Sequence, residues 1–194
     1  MITSLCAYKI GRPVRMQLSR TTDMNMQSGR EGWLFDYEVG FDSEGKINAL
    51  NYEIFVDAGY NPNDTGGSSF MGMVWADNAY FLPNYEAKLV LCKTNTPPRT
   101  SMRTPGVLQS NVALELVLDR IAAILGLPTS LVQQRNFIKD GLTTICGQVI
   151  TDCNLENVWK ILMNKAQYYE RLKRVNQYNN ANIWRKKGLA ICPV

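Results

Sequence analysis

The segment from Arg99 to Gly106 carries the residues best suited to bind an anionic group. It contains two arginines, Arg99 and Arg103, and leads directly into a predicted helix. The amide groups at the start of a helix favour negative charge, and an arginine guanidinium adds charge-assisted hydrogen bonds. The segment therefore predicts a site for a phosphate or another oxyanion. A plain connection between a strand and a helix explains the same residues, and both interpretations stay open.

Histidine is absent from the 194 residues, which narrows the chemistry of this sequence. No Ser-His-Asp or Cys-His mechanism can be assembled within it, and the usual neutral metal ligand is missing. The five cysteines form no Cys-x-x-Cys pair, so neither a zinc site nor an iron–sulfur site is predicted. We expect reduced, mostly buried thiols in a cytoplasmic protein, and we predict no catalytic residue.

Positive charge is concentrated towards the C-terminal end. The net charge is +4, yet eight of the 21 basic residues and only two of the 17 acidic residues follow Asn154. Aromatic residues such as Tyr169, Tyr178 and Trp184 lie among these cations. This pattern is typical of a solvated helix face and also of a surface that binds nucleic acid. A stand-alone module that binds an acidic partner through residues 165–187 is therefore an alternative function, although nucleic acid is not the favoured partner.

The patterning predicts an α+β fold in which antiparallel strands and a hairpin are followed by packed helices. Hydrophobic residues make up 45% of the chain, and no apolar run approaches the ~20 residues of a membrane span. Strands are predicted over residues 12–20, 34–41, 47–58, 87–93 and 189–192. Irregular loops are predicted over residues 21–32, 59–69 and 96–106. Helices are predicted over residues 4–10, 109–125, 129–137, 155–173 and 176–187.

The elements predicted at the two ends of the chain indicate a larger domain. The last predicted strand is short and the first predicted helix lacks its beginning, whereas a strand usually runs about 5–6 residues. We therefore expect residues 1–194 to form one partial domain that is truncated at both ends.

Taken in order, several motifs resemble those of the molybdenum hydroxylases, the family of xanthine dehydrogenase and aldehyde oxidase. The matching stretches are GRPVR (11–15), DNAYFLPN (77–84), LCKTN (91–95), RTPGVLQ (103–109), VQQRN (132–136) and WRKKGL (184–189). The resemblance implies an incomplete lobe of the molybdopterin-binding domain, in an enzyme that inserts water-derived oxygen into a C–H bond. It implies molybdenum–molybdopterin as the cofactor, with FAD and 2Fe-2S clusters elsewhere in a homodimeric parent enzyme.

The resemblance also assigns site residues. It places Arg103, Thr104 and Gly106 in the cofactor loop, with the backbone of Arg103 near molybdenum and no side-chain metal ligand. Met71 stands where xanthine-type members carry an arginine, which is similar to aldehyde oxidases, and Pro105 stands where the family usually carries a phenylalanine. Methionine offers apolar contact and proline no aromatic face, so an aldehyde or an N-heterocycle is expected as substrate rather than a purine.

Other parts of the family pattern have no counterpart in this sequence. They are the preceding glycine-rich cofactor loop, the glutamate base, the second cofactor lobe, the FAD domain and the iron–sulfur domains. We therefore expect the chain to be inactive alone and to act with the remaining domains of a parent enzyme.

Overall fold

The computed structural model describes residues 1–26 and 29–194, which contain one three-stranded sheet and seven helices. The strands are β1 (Trp33–Phe41), β2 (Ile47–Gly59) and β3 (Tyr85–Lys93). The helices are α1 (Ile2–Ile10), α2 (Arg20–Met26), α3 (Thr65–Val74), α4 (Val107–Leu125), α5 (Thr129–Arg135), α6 (Leu155–Lys165) and α7 (Tyr168–Ala181). The predicted α+β class is confirmed.

The sheet combines the predicted hairpin with one parallel strand. β1 and β2 pair antiparallel, with Tyr37 opposite Tyr52, and Gly45 adopts a φ of +83° in the turn between them. β3 pairs with β2 in parallel, with Ile54 opposite Leu89, because α3 carries the chain back across the sheet. Alternation of apolar residues predicts a strand but not its direction.

The core lies between β2 and α4. Alternate residues of β2 (Leu50, Tyr52, Ile54 and Val56) are fully or almost fully buried. They share one apolar cluster with residues of α4 at helical spacing (Leu114, Val117, Leu118 and Ile121). Burial of each such side chain contributes about 1.5–3 kcal/mol. This cluster holds α4 against the sheet.

Two predictions near the N-terminal end are wrong. Residues 12–19 form no strand, and α2 begins at Arg20. Met16 and Leu18 are 54% and 38% exposed, so alternation there does not reflect a buried face. The loop predicted over residues 21–32 contains α2, and Gln27 and Ser28 lie outside the described residues.

The loop predicted over residues 59–69 is helical from Thr65. Four small residues of α3 are buried at helical spacing, namely Thr65, Ser68, Ser69 and Gly72. Small polar residues are also typical of turns, which is why the composition of this segment predicted an irregular loop. The helix forms because that face packs closely against neighbouring backbone.

The C-terminal elements also differ from the prediction. The helix predicted over residues 155–173 is two helices, because Gln167 adopts a left-handed φ of +47° between α6 and α7. The helix predicted over residues 176–187 ends at Ala181. Residues 189–192 are not a strand, although Gln133 Nε2 donates to the carbonyl of Ile191 at 3.0 Å.

The cysteines carry free thiols, and the prediction that most are buried is wrong. Cys6, Cys146 and Cys192 are exposed. Within residues 1–26 and 29–194, no group of three or more cysteine or carboxylate side chains is placed to hold a metal ion. In the same part of the chain, no helix has both the length and the apolar character needed to cross a bilayer.

Candidate functional site

Two loops leave the same edge of the sheet and contact each other there. Residues 60–64 follow β2, and residues 94–106 follow β3 and lead into α4. Because β2 and β3 are parallel, their carboxyl ends lie together, which is where open sheets commonly bind ligands. Tyr60 N–H donates to the carbonyl of Thr96 at 3.0 Å, and Thr94 N–H donates to that of Gly59 at 3.0 Å. We call residues 94–106 the 94–106 loop.

The carboxylate of Asp57 anchors the beginning of the 94–106 loop. Thr94 Oγ1 donates to Asp57 Oδ1 at 2.5 Å, and Thr96 Oγ1 lies 3.3 Å from each carboxylate oxygen. Arg99 Nε lies 3.5 Å from Asp57 Oδ2. The hydrogen bond from Thr94 is the largest cause that holds the pKa of Asp57 below its usual range, and Gly59 N–H, Thr96 and Arg99 contribute in the same direction. Asp57 is therefore a charged anchor at neutral pH.

A guanidinium holds the other end of this loop. Arg30 Nη1 donates to the carbonyl of Thr104 at 3.0 Å, and Arg30 Nη2 donates to the carbonyl of Arg103. Arg30 Nη1 also lies 3.4 Å from Gln109 Oε1 in the first turn of α4. One side chain before β1 thus contacts both the loop and the helix that follows it.

Two glycines bring α3 and the start of α4 into backbone contact. A Cβ atom on Gly106 would lie 1.9 Å from the carbonyl oxygen of Ser68, and one on Gly72 would lie 2.6 Å from the carbonyl oxygen of Gly106. Gly106 also has a φ of +71°, which favours glycine. Ser110 Oγ donates to the carbonyl of Gly72 at 2.6 Å. The first turn of α4 is therefore fixed against α3.

The structure brings the five residues predicted for the site to this junction. Arg103 and Thr104 are exposed, Pro105 is half-buried and Gly106 is buried. Met71 is half-buried and directly precedes Gly72 on α3. Pro105 and Met71 are thus each one residue away from the contact between Gly72 and Gly106.

Buried polar atoms without hydrogen-bond partners are concentrated around the junction. Eight such side-chain atoms occur in the described residues, and five of them belong to residues near the 94–106 loop or α3. These five are Glu31 Oε2, Trp33 Nε1, Ser69 Oγ, Arg99 Nε and Gln109 Nε2. Buried polar groups are normally satisfied, so the junction is the part of the described structure where hydrogen-bonding capacity is left unused.

Sequence reasoning missed Arg30, Glu31 and Asp57 as parts of this site. Arg30 lies in a polar segment without periodicity, and its partners are 73 and 74 residues away in the chain. Asp57 lies on β2, where a carboxylate at alternating spacing resembles any exposed strand residue. Gln109 is inside a stretch that matches the family, but its role was not predicted.

The basic residues near the C-terminal end contact their own segment. Lys187 Nζ lies 4.1 Å from the ring centre of Tyr178, and Lys186 Nζ donates to the carbonyl of Asn179 at 2.6 Å. Arg174 Nη2 lies 3.8 Å from Glu170 Oε2, one turn earlier on α7. These contacts are those of a solvated helix face, and they give no support to a separate binding module.

Comparison with known proteins matches this chain to one family. Residues 1–137 match the family described as molybdopterin cofactor-binding domain. The chain is 37% identical over 191 residues to xanthine dehydrogenase/oxidase of Mus musculus, which covers 98% of this chain and 14% of that protein. It is 36% identical over 193 residues to aldehyde oxidase 1 of Bos taurus, covering 100% of this chain and 14% of that protein. The chain thus spans about one seventh of the length of these relatives.

Solved structures show the same fold. Aldehyde oxidoreductase from Desulfovibrio gigas superposes with a TM-score of 0.77 at 21% identity, over 91% of this chain and 19% of that chain. Quinoline 2-oxidoreductase from Pseudomonas putida 86 superposes with a TM-score of 0.75 at 21% identity, over 93% of this chain and 24% of that chain.

Proposed function

The chain belongs to the molybdopterin cofactor-binding domain family, and from that premise we propose that it holds part of the cofactor in a molybdenum hydroxylase. The main support for this proposal is the junction of α3 with the 94–106 loop. Met71 and residues 103–106 lie close together there, at the carboxyl end of the strands. The predicted molybdenum–molybdopterin cofactor agrees with this family. The remaining part of the cofactor site comes from other segments of a longer polypeptide.

The residues at the junction fit an anionic cofactor with a hydrogen-bonding ring. The first turn of α4 contains no acidic residue, and no side chain caps it. Arg103 is exposed four residues before this helix begins, and Gln109 Nε2 is a buried donor without a partner among the described residues. A positive helix end, a cation and an unused donor together favour a phosphate and a pterin.

In this proposal the residues of this chain hold the cofactor in position and do not themselves react. Arg103, Thr104 and Gly106 present backbone groups along one side of the cofactor. The glycine contact keeps this backbone against α3, so the loop has a single path. When bound, the molybdenum centre supplies the oxidation of a substrate C–H bond with oxygen derived from water. Proton transfer in that reaction depends on groups outside this chain.

Met71 and Pro105 line the substrate side of the junction in this proposal. Neither side chain offers a charge or a hydrogen-bond donor to a purine, whereas both offer apolar contact to an aldehyde or an N-heterocycle. The identities of 37% and 36% to a xanthine dehydrogenase/oxidase and an aldehyde oxidase do not separate the two substrate classes. The preference for an aldehyde therefore rests on these two positions.

The proposal is tested on the full-length polypeptide that carries this sequence, produced in a host that makes the cofactor. We expect bound molybdenum by elemental analysis and pterin by fluorescence after oxidation. We expect an aromatic aldehyde or an N-heterocycle to be oxidised in ¹⁸O-labelled water with label in the product. Protein that folds but contains neither molybdenum nor pterin would falsify the proposal.

Substrate preference needs its own comparison. We expect an aromatic aldehyde to be oxidised at least tenfold faster than xanthine, and a Met71→Arg variant to narrow that difference because a guanidinium can bind purine oxygens. Lys88→Met, far from the junction on an exposed strand face, is the control. Preference for xanthine in the unaltered protein would contradict the assignment of Met71 and Pro105.

A further inference from the structure

We propose that Arg30 is a positioning residue that sets the backbone path of residues 103–106. This inference rests on the proposed function, because it concerns the loop assigned there to the cofactor. Arg30 itself lies before β1, outside the 94–106 loop and outside α4. It is half-buried at the edge of the junction.

The contacts of Arg30 are directed at the residues that the cofactor proposal uses. Its two terminal nitrogens donate to the carbonyls of Arg103 and Thr104, and one of them also lies 3.4 Å from Gln109 Oε1. These carbonyls point towards Arg30, so the opposite side of the same backbone is left for a ligand. Thr104 has a φ of +54°, a conformation that side-chain-bearing residues rarely adopt without support.

A guanidinium is the group that suits this geometry. Its planar fork places two donors at a fixed separation, so it can bind two neighbouring carbonyls at once. A lysine ammonium is a point charge that favours one acceptor at a time. The requirement is therefore for arginine and not merely for a cation.

Glu31, the residue after Arg30, makes a comparable contact with α3. Glu31 is 4% exposed, and its Oε1 accepts a hydrogen bond from Ser68 Oγ. The carbonyl of Ser68 is the group closest to Gly106. Adjacent residues before β1 thus hold the loop on one side and the helix beneath it on the other. Arg30 and Glu31 together couple the position of β1 to the junction.

The test compares Arg30→Lys and Arg30→Met with Arg135→Met in the full-length polypeptide. Arg135 is a matched control, because its guanidinium also donates to a backbone carbonyl, that of Glu44, but in the hairpin turn away from the junction. Hydrogen exchange of the peptide covering residues 101–109 is measured by mass spectrometry, with β2 as internal reference. We expect both Arg30 variants to exchange about tenfold faster or more there, because the loop and the first turn of α4 open more often once the contacts to the carbonyls of Arg103 and Thr104 are lost. We expect Arg135→Met to leave this peptide unchanged.

A second measurement separates positioning from general support of the fold. Pterin content and the electron paramagnetic resonance spectrum of molybdenum are recorded for each variant, and we expect reduced content or an altered spectrum for both Arg30 variants only. Exchange within twofold of the unaltered protein, or full protection in Arg30→Lys, overturns the inference. Faster exchange with unchanged pterin content and spectrum overturns it too, since the loop would then not touch the cofactor. Absence of pterin from the unaltered protein is the separate failure of the proposed function.

Discussion

The hairpin turn joins β1 to β2 and the 94–106 loop joins β3 to α4, and these two connections of the same sheet are held in different ways. The turn is held by Asn136, which follows α5 and is 2% exposed; it accepts from Ile47 N–H and donates to the carbonyls of Gly45 and Val132, each at 2.8 Å. All of the hydrogen-bonding groups of its amide are therefore used. Around the loop, by contrast, the anchoring side chains are partly exposed. Arg99 Nε makes an ion pair with Asp57 but no hydrogen bond, and Gln109 Nε2, in the first turn of α4, finds no hydrogen-bond acceptor among the described residues.

This difference separates a structural turn from the loop that we propose to bind the cofactor. A satisfied buried network stabilises one conformation and leaves nothing for a ligand. Unused buried donors lower the stability of the unbound state by about 1–3 kcal/mol each, and a ligand that binds them regains this. The donor left unused beside the loop agrees with the proposed cofactor site, whereas the turn is satisfied without a ligand.

The largest effect is expected for Gly106→Ala, which disrupts the backbone contact between the loop and α3. The added Cβ would lie 1.9 Å from the carbonyl oxygen of Ser68, and the φ of +71° disfavours alanine as well. We expect the free energy of unfolding to fall by about 4 kcal/mol or more, because backbone must move. Urea unfolding followed by circular dichroism measures it.

Gly126→Ala is the matched control at the other end of α4. Gly126 has a φ of +66°, but an added Cβ would meet nothing within 4 Å. We expect a loss of about 1 kcal/mol from backbone strain alone. Equal losses at the two glycines would show that the contact with α3 is unimportant.

A smaller effect is expected for Asn136→Ala, which removes the side chain that holds the hairpin turn. The substitution leaves one buried N–H and two buried carbonyls without their partner, so we expect a loss of about 2–4 kcal/mol. Thermal and urea unfolding measure it. Asn179→Ala is the control, because Asn179 makes two comparable hydrogen bonds with Lys187 on an exposed surface. A loss at Asn136 no greater than that at Asn179 would remove the contrast between turn and loop.

The smallest effect is expected for Asp57→Asn, and it depends on pH. The pKa of Asp57 lies below its usual range in the folded protein, so its charge stabilises the fold above about pH 4, the unfolded value, and this contribution fades as the pH falls through the folded value. We expect a loss of about 1 kcal/mol or less at pH 7 that shrinks below pH 4. Unfolding by urea across pH 3–7 measures it, with the exposed Asp36→Asn as control. A loss that grows with acidity would contradict the anchoring role.

Much of the sheet and of α4 could be predicted because apolar periodicity determines them. Alternation locates β1 and β2, spacing of three and four locates α4, and Gly126 ends that helix in the left-handed conformation expected of it. The α3 helix was missed because its buried face is made of small polar residues, which carry no apolar signal. The parallel direction of β3 follows from where α3 leads the chain, which alternation cannot indicate.

The sequence could predict the candidate site only where its residues lie close together along the chain. Residues 103–106 lie together before a helix, so they could be proposed from sequence as one candidate segment, and its binding of an anion stays a prediction. Arg30 and Asp57 reach the loop across the fold, and no spacing rule connects residues 73 positions apart. Orphaned donors such as Gln109 Nε2 are visible only once burial is known.

The contact between Gly72 and Gly106 fixes the backbone of the proposed site independently of the side chains that would determine its specificity. It is made by backbone atoms, so the positions of residues 71 and 105 are fixed whatever side chains they carry. Descendants of one ancestral gene can then exchange those side chains without rebuilding the scaffold. The same property makes residues 71 and 105 suitable for a combinatorial library that tests their proposed role in substrate choice while the fold stays constant.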